Sequence, residues 1–335
     1  LHLLSRRQRQ MCIRDRSNQG YERLKSMKVY NPEGKIIHNN AGFSIKVLEK
    51  YMQEGTIIEA PAIKCDSDMT LYFDLGYNIK GVMPKSEFGY SPVGKEPKTA
   101  AIANRVASYT CFLIKDIIKE DDDSYRLELS RREAQKECYD NYISKLKLGQ
   151  VINARITHVE SYGAFCDIGC GIIALLPIEN FCVTKLRGSN TKDALRGYRD
   201  LKVIVRSFDA SGRIVLSQKE LLGTWSEEAA KFNNGDIVVG TVRLVEEYGV
   251  FVELTPNLAG LADPYEGVKV GDVVAVLVKN IIPERMKIKL TIINTDTVAK
   301  IPAKLDYKIP ESGFVKYWLY SPDGATKKFE TIIED

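Results

Sequence analysis

Internal repetition is the feature that most constrains what this chain can fold into. Residues 148–177 align without a gap with residues 234–263, at an offset of 86 positions. A fainter third copy, residues 69–84, aligns with residues 162–177 at an offset of 93. Repetition of this kind is typical of one structural unit that is used several times along a chain. The sequence therefore predicts three tandem domains of one type.

The residue pattern predicts strands inside the copies and helices between them. Inside the copies, short runs rich in β-branched residues are separated by Gly, Asn or Asp, as in strands joined by turns. Between the copies, Arg131–Lys147 and Gln218–Phe232 are charged, poor in Gly and amphipathic, so we predict linker helices there. Another short helix is expected at residues 44–53.

The C-terminal residues predict a β-hairpin. Gly313–Tyr320 and Thr326–Ile333 flank a Ser-Pro-Asp-Gly segment at 321–324, and Pro-Asp-Gly favours a tight turn. Trp318, in the first of these strands, either stacks on a nucleic-acid base or a partner, or packs on the last repeat. Trp225, on the second linker helix, is expected to anchor that helix to a neighbouring domain.

These patterns divide the chain into eight predicted segments. They are a non-native or disordered leader (1–28), a lead-in (29–54), degenerate repeat 1 (55–132), a linker helix (133–147), repeat 2 (148–219), a second linker helix (220–233), a shortened repeat 3 (234–293) and an aromatic hairpin tail (299–335).

The net charge of +4 is concentrated at the N-terminal end. The chain has 48 Lys+Arg and 44 Asp+Glu, and residues 1–16 alone hold five Arg against one Asp, so the rest is neutral. This stretch resembles translated adapter sequence, and we expect it to take no part in the fold. A basic arm for nucleic acid and a targeting peptide are the alternatives. Any affinity for nucleic acid must therefore come from local patches rather than bulk charge.

Cysteine and histidine usage disfavours several classes of protein. Seven Cys without paired spacing favour a reducing cytoplasm over a disulfide framework. Cys166, Cys170 and Cys182 could be zinc ligands, but a thiol on the inward face of a strand acts as a small hydrophobe. With only three His, we expect neither a metal site nor a cofactor. No apolar run approaches the length of about 20 residues that a membrane helix needs.

Strand periodicity places an aromatic residue on the polar face of every copy. Alternate residues of a strand point to opposite sides, so Ala164, Cys166 and Ile168 form an apolar face. The residues between them are expected on the opposite, outward face. In the three copies these outward pairs are Tyr72 and Asp74, Phe165 and Asp167, and Phe251 and Glu253.

Basic residues surround these aromatic positions. They are Arg126, Arg213 and Lys287 on the closing strands, and Arg155 and Arg243 on the opening strands. Exposed rings that stack on bases, with cations that follow the phosphates, suit single-stranded nucleic acid. The alternative is that each exposed ring only packs on a neighbouring loop.

The repeated motifs resemble the S1 RNA-binding domain, a five-stranded OB-fold barrel. The second copy has Tyr-Gly-Ala-Phe at 162–165, Asp-Ile-Gly at 167–169 and Arg-Ile-Val-Leu-Ser-Gln-Lys at 213–219. Three such copies joined by charged helices resemble the bacterial ribosomal protein S1 family. Residues 29–335, with the degenerate first repeat and the aromatic tail, resemble its short clostridial-type members.

The resemblance implies which residues contact RNA. These are Tyr162, Phe165 and Arg213 in the second copy, Tyr248, Phe251 and Lys287 in the third, and only Tyr72 and Arg126 in the first. A family histidine after the third strand is replaced by Pro177 and Asp263, and Asp263 would repel phosphate. The first copy lacks Tyr-Gly-x-Phe, so we expect it either to bind RNA weakly or to dock on the ribosome or another protein.

We therefore predict a non-catalytic, cytoplasmic protein that holds single-stranded mRNA near the small ribosomal subunit, with no membrane and no small-molecule substrate as partner. An S1-domain regulator of transcription or RNA decay has the same chemistry. A protein-interaction scaffold of degenerate OB folds would bind no RNA. An enzyme is disfavoured because the repeats fill residues 55–291, which leaves no room for a catalytic domain in the flanks.

Overall fold

A computed structural model describes most of the chain. The described residues are 28–39, 42–91, 97–120, 123–184, 195, 197–209, 212–295 and 305–334. Except for Lys28, the predicted leader (1–28) lies outside the described residues. The Lys28 ammonium forms an ion pair of 2.8 Å with Glu137.

The described residues form three closed barrels of five strands each, as the repeats predicted. The first barrel consists of β1 (Ile58–Cys65), β2 (Leu71–Gly76), β3 (Ile79–Met83), β4 (Tyr109–Lys119) and β5 (Tyr125–Ser130). The second consists of β6 (Val151–Glu160), β7 (Gly163–Asp167), β8 (Ile173–Pro177), β9 (Asp200–Phe208) and β10 (Ile214–Ser217). The third consists of β11 (Ile237–Glu246), β12 (Gly249–Thr255), β13 (Leu258–Ala262), β14 (Val273–Ile282) and β15 (Lys287–Asn294).

All three barrels have the same strand order. The first three strands form an antiparallel meander, and the fifth strand lies between the third and the fourth. The pairs β3–β5, β8–β10 and β13–β15 are parallel, whereas the other pairings recorded are antiparallel. This order closes a five-stranded barrel of the OB type and confirms the predicted mainly β architecture.

The helices are short. They are α1 (Ile45–Glu54), α2 (Thr99–Ala103), α3 (Arg131–Asn141), α4 (Ile178–Phe181) and α5 (Trp225–Ala229), with 3-10 turns at Lys85–Glu87, Ile143–Lys145, Lys219–Leu221 and Pro283–Arg285. Helix α1 agrees closely with the predicted short helix. Within the described ranges, no helix has the length and apolar character needed to cross a membrane.

The two linker segments are helical, but over fewer residues than predicted. Helix α3 begins where the Ser130 hydroxyl accepts a hydrogen bond of 2.9 Å from the amide of Glu133. In the second linker, Gly223 adopts φ +87° and separates a 3-10 turn from α5. Helix α5 then starts at a capping box formed by Thr224 and Glu227. Gly223 therefore delays the start of α5, whereas α3 starts at the predicted Arg131 but ends at Asn141, before the 3-10 turn.

Residues 28–146 and 167–173 form one compact unit, which we call the first-barrel unit. Its core contains Phe73 and Phe112, whose ring centroids lie 5.3 Å apart. The strand alternation predicted for the first copy is confirmed, because Leu71, Phe73 and Leu75 are all buried.

A buried polar network also lies within the first-barrel unit. The Glu33 carboxylate accepts hydrogen bonds from Nε of Arg131 (2.7 Å) and from the amide of Cys111 (3.1 Å). Asp167 accepts from the amides of Glu33, Gly169 and Gly171 at 2.7, 2.8 and 3.0 Å. The expectation that Asp167 faces outward is wrong, because three backbone donors compensate its carboxylate inside the protein.

Residues 147–166 and 174–334 form the second compact unit, which we call the two-barrel unit. The core of the third barrel includes Val252, Trp225 of α5 and Trp318 of the tail. Trp225 therefore anchors its linker helix, as predicted. Of the two alternatives for Trp318, the structure shows packing against the last barrel.

The tail of the two-barrel unit is the predicted hairpin, formed by β16 (Tyr317–Leu319) and β17 (Glu330–Ile332). Its strands are shorter than predicted and its connection is longer, because Tyr320 and Phe329 close the loop with a backbone hydrogen bond of 2.9 Å. The Tyr320 hydroxyl donates to the carbonyl of Asn257 at 2.6 Å. This bond ties the tail to the β12–β13 turn of the third barrel.

Candidate nucleic-acid interface

An exposed aromatic pair marks the second barrel. Tyr162 precedes β7 and is 54% exposed, while Phe165 lies within β7 and is half-buried. Their ring centroids are 6.2 Å apart, and the ring planes meet at 87°. The two rings thus support each other edge to face and leave aromatic surface open to solvent.

The third barrel repeats this arrangement. Tyr248 is 64% exposed, Phe251 is half-buried, and their centroids lie 6.2 Å apart with an interplanar angle of 90°. The same geometry in two barrels follows from the same Tyr-Gly-x-Phe sequence. We call Tyr162 with Phe165, and Tyr248 with Phe251, the two aromatic platforms.

Close backbone packing requires the glycine that stands between the Tyr and the Phe of each platform. Gly163 and Gly249 both adopt φ +155°. A Cβ at Gly163 would overlap the carbonyl oxygen of Leu176, and one at Gly249 would overlap that of Ala262. The second strand can therefore begin close against the third only with glycine here, and this close approach fixes where the Tyr and Phe rings stand.

A row of outward residues crosses the third barrel at Phe251. Phe251 of β12 pairs with Leu244 of β11 and with Leu261 of β13. Leu261 pairs in turn with Lys289 of β15. Lys289 is exposed on β15. Sequence reasoning missed it and chose Lys287, which also lies exposed on β15 but is paired with Ile282. The alternation of β15 would have indicated Lys289, because it points to the same side as Lys287.

Arg243 lies in a buried ion pair. Its Nε and a terminal nitrogen donate to the two carboxylate oxygens of Glu253 at 2.9 and 2.8 Å. Only 14% of the Arg243 side chain and 6% of the Glu253 side chain are exposed. The expectation that Glu253 faces solvent is therefore wrong, because this bidentate pair allows the carboxylate to be buried. The predicted role of Arg243 in binding RNA stays a prediction.

The remaining predicted cations of the two-barrel unit differ in exposure. Arg155 on β6 has a side chain only 13% exposed and lies 3.5 Å from Asp200. Arg213 stands just before β10 rather than on it, is 72% exposed, and pairs with Asp209 at 2.7 Å. Arg213 and Lys287 are thus the more accessible of the predicted cations, together with the additional Lys289.

His158 on β6 joins the platform of the second barrel. Its ring lies 6.3 Å from that of Phe165 with an interplanar angle of 25°, and its Nε2 is 2.6 Å from Glu160. Sequence reasoning passed over His158 because it does not align with the family histidine. The signal that could have found it is its place on the strand next to β7.

The first barrel presents a different surface. The Tyr72 hydroxyl donates to Asp66 at 2.9 Å, and the Lys64 ammonium lies 5.5 Å from the Tyr72 ring centroid. Arg126 on β5 is paired with Glu120 at 3.1 Å. The structure thus brings Tyr72 next to Lys64, which sequence reasoning did not choose, and ties Arg126 to an acid.

The described residues contain no group of three His, Cys, Asp or Glu side chains that could hold a metal ion. Cys166, Cys170 and Cys182 are each buried. Burial raises the pKa of the Cys182 thiol well above its usual range, which favours its neutral form.

Three tandem five-stranded OB barrels, two of them with the same Tyr–Phe platform, place this chain in the class of tandem OB-fold proteins. Over 219 residues it is 31% identical to the small ribosomal subunit protein bS1 of Leuconostoc lactis, covering 59% of this chain and 50% of that protein. Over 209 residues it is 28% identical to the bS1 homolog of Bacillus subtilis, covering 57% and 54%. The chain is thus similar, over more than half of its residues, to small ribosomal subunit proteins of the bS1 type.

The chain spans about half the length of these curated relatives. No family model matches it. A solved structure from Streptococcus pneumoniae, described as a multidomain protein with nucleic acid binding domains, is 14% identical with a TM-score of 0.23. That match covers 71% of this chain and 73% of the other.

Proposed function

We propose that this protein binds single-stranded RNA, without chemically altering it, through the two aromatic platforms. In this proposal the RNA is mRNA, the protein acts in translation at the small ribosomal subunit, and its location is the cytoplasm. The observation that carries the proposal is the recurrence of one exposed Tyr–Phe geometry on two barrels. A ring that served only to pack on a neighbouring loop would be covered by that loop, whereas Tyr162 and Tyr248 are 54% and 64% exposed.

The chemistry of the platforms supports RNA as the ligand. Each base stacked on an aromatic ring contributes about 1–3 kcal/mol, and single strands expose the base faces that stacking needs. Lys287 and Lys289 supply exposed positive charge on β15 of the third barrel, whereas Arg213 in the second barrel is exposed but paired with Asp209. The curated relatives are themselves named small ribosomal subunit proteins, which supports a role in translation.

The first barrel has a different role in this proposal. It lacks the Tyr–Phe pair, and its Arg126 is paired with an acid. We propose that it docks on the ribosome or on another protein, while the two-barrel unit holds the RNA.

The test is to remove both platform rings in the 335-residue chain and measure RNA binding. We expect Phe165→Ala/Phe251→Ala to weaken binding by about 2–6 kcal/mol, since two stacked bases are lost at about 1–3 kcal/mol each. The measurement is fluorescence anisotropy with a labelled single-stranded RNA over a salt series. Tyr77→Ala is the control, because Tyr77 is 71% exposed but lies in the β2–β3 turn of the first barrel.

Each other outcome favours a different function. Equal RNA binding by the double variant and the unaltered chain would refute the proposed role of the platforms. No RNA binding by the unaltered chain would favour a protein-interaction scaffold. RNA cleavage that requires Mg²⁺ would indicate an enzyme. If the double variant loses RNA binding as expected, co-sedimentation with ribosomes then separates a role in translation from regulation of transcription or RNA decay.

A further inference from the structure

The first strand of each barrel has a stretch of edge that the other strands of its barrel leave uncovered. In the first and third barrels, the first strand pairs with the fourth strand over its first half and with the second strand only over its second half. The other side of the first half therefore carries N–H and C=O groups that need a partner from elsewhere. We call this stretch the opening edge and count it from the glycine that starts each copy, so it comprises residues 55–59, 149–153 and 235–239.

The lead-in covers the opening edge of the first barrel. The Glu59 amide donates to the carbonyl oxygen of Ile37 at 2.9 Å, and Ile37 forms a parallel bridge with Ile58. Extended chain from before the barrel thus acts as a short added strand.

The tail covers the opening edge of the second barrel. The Val151 amide donates to the carbonyl oxygen of Gly313 at 2.9 Å, and the Gly149 carbonyl oxygen accepts from the amide of Val315 at 2.8 Å. Residues 313–315 run antiparallel to the edge. The contact is close, because a Cβ at Gly149 would overlap the carbonyl oxygen of Val315. A second, unrelated segment of the chain therefore fills the same place on the barrel.

The opening edge of the third barrel has no such added strand among the described residues. The Asp236 carbonyl oxygen accepts from the amide of Val278 in β14 at 2.9 Å. Because the hydrogen-bonding direction alternates along a strand, the backbone groups of Ile237 and Val239 point away from β14. On that side β12 joins β11 only from Thr241 onward, and no described residue pairs with Ile237 or Val239 there.

The glycines that start the second and third copies show the same difference. Gly149 and Gly235 both have a positive φ, of +76° and +95°. Val315 crowds the Cβ position of Gly149, whereas no described atom lies within 4 Å of the Cβ position of Gly235. The backbone at the edge is thus of the same kind in both barrels, and only the second has an occupant.

The side chains beside the open edge are apolar and exposed. Ile237 and Val239 are 65% and 60% exposed, and they pair with Leu277 and Ala275 of β14, which are half-buried. Proteins usually protect an unpaired edge with charged residues or Pro, but the two positions on the free side here are Ile and Val. Unpaired backbone groups next to exposed apolar side chains favour the addition of a strand.

The two covered edges indicate what the third one fits. Their occupants are short extended segments that bring bulky apolar residues to the edge, Ile37 in the first barrel and Phe314 with Val315 in the second. The side chains of Ile237 and Val239 offer no positive charge to a phosphate, so the edge suits a peptide rather than RNA.

We propose that the opening edge of the third barrel binds an extended, apolar segment of a partner protein, which adds to β11 as a short strand. The backbone of this segment bonds the N–H and C=O groups of Ile237 and Val239, and its apolar side chains pack on these two residues. The platform of the same barrel stays free, because Phe251 pairs with Leu244 further along β11. This protein-binding surface is additional to the proposed RNA-binding function and does not depend on it.

The test uses a peptide that copies the natural occupant of the second barrel. A fluorescent, end-capped peptide with the sequence of Glu311–Tyr317 is titrated into the 335-residue chain and followed by anisotropy. We expect Ile237→Lys/Val239→Lys to bind it about tenfold more weakly, because charge at an edge opposes strand addition. Val245→Lys is the matched control, because Val245 is also exposed on β11 but pairs with Val250 of β12.

A second peptide tests whether the backbone makes the contact. It carries an N-methyl group on the residue that copies Val315, which removes one N–H and keeps every side chain. In the second barrel this N–H bonds the Gly149 carbonyl oxygen, whose counterpart is that of Gly235. We expect the methylated peptide to bind about tenfold more weakly than the first, as for an added strand held by main-chain hydrogen bonds.

Hydrogen exchange locates the peptide on the chain. In the free chain we expect the amides of Ile237 and Val239 to exchange readily, while those of Glu59 and Val151 are protected by their partners. The peptide should slow exchange at Ile237 and Val239 and leave the other two amides unchanged.

The contrary outcomes are distinguishable. Equal peptide binding by Ile237→Lys/Val239→Lys and by Val245→Lys would overturn the site. Protection of Ile237 and Val239 in the free chain would also overturn it, and would indicate a second copy if it rises with protein concentration or the chain itself if it does not. Protection by oligouridylate and not by the peptide would assign the edge to RNA. None of these results affects the proposed RNA binding, which Phe165→Ala/Phe251→Ala tests separately.

Discussion

Glu33 shows how much one residue contributes to the first-barrel unit. Burial alone would raise the pKa of its carboxyl, but Arg131 and Arg105 hold that pKa down at about 2. A shift of this size from 4.5 corresponds to about 3 kcal/mol of stabilisation at neutral pH. We predict that Glu33→Gln lowers the free energy of unfolding by about 3 kcal/mol, because the Arg131 charge is left buried without its partner. Urea unfolding at pH 7 measures this, with the exposed Glu49→Gln as control.

The ion pair between Glu33 and Arg131 also sets how the effect of Glu33→Gln on the unfolding free energy depends on pH. A carboxyl whose pKa is depressed in the folded state stabilises fully above its unfolded value, and this contribution is lost as the pH falls through the folded value. The difference in unfolding free energy between the unaltered chain and Glu33→Gln should therefore shrink as the pH falls from 4.5 toward 2. A difference that does not change over this range would show that Glu33 acts through packing rather than charge.

Single residues also show where sequence reasoning succeeds and where it stops. Strand alternation correctly predicted that Phe165 and Phe251 leave the barrel interior. The same alternation was wrong for Asp167 and Glu253, because it assigns a side of the strand but not what covers that side. The amide of Glu33, distant in the sequence, and the nearby amides of Gly169 and Gly171 cover Asp167, and Arg243 of the neighbouring strand covers Glu253.

At the scale of elements, the start of β12 depends on its first residue. A Cβ at Gly249 would overlap the Ala262 carbonyl oxygen and the Leu261 side chain. We predict that Gly249→Ala destabilises the third barrel by about 1–3 kcal/mol, as expected for a backbone conformation that other residues rarely adopt. Thermal unfolding measures this loss. An equal loss in Gly267→Ala would contradict the steric reason, because Gly267 also has a positive φ but nothing within 4 Å of its Cβ position.

Whole elements were easier to predict than their ends. The repeats gave the strands of all three barrels, because hydrophobic alternation and turn residues recur in each copy. The linker helices are shorter than periodicity predicts where local chemistry decides, as at Gly223, whose positive φ delays the start of α5. The hairpin tail was predicted and its Pro-Asp-Gly turn is formed, since the Ala325 amide donates to the Pro322 carbonyl at 3.2 Å, but the strands are shorter than predicted because Tyr320 and Phe329 close a wider loop around that turn.

At the scale of the whole molecule, both platforms belong to one compact unit while the degenerate repeat belongs to the other. The sequence located both platforms, because their motif is local.

Two platforms in one unit predict that binding depends steeply on RNA length. An OB fold covers about 4–16 nucleotides, so a short strand occupies one platform and a longer strand can occupy both. Linked sites can raise overall affinity by about 10²–10⁴ over either site alone. We therefore expect oligouridylates of increasing length to show a sharp gain in affinity once they reach both barrels, measured by anisotropy at fixed salt. Phe251→Ala should abolish this gain while leaving the affinity for the shortest strands within a few-fold. A gain that persists in Phe251→Ala would mean that the third barrel holds RNA by its lysines rather than by its rings.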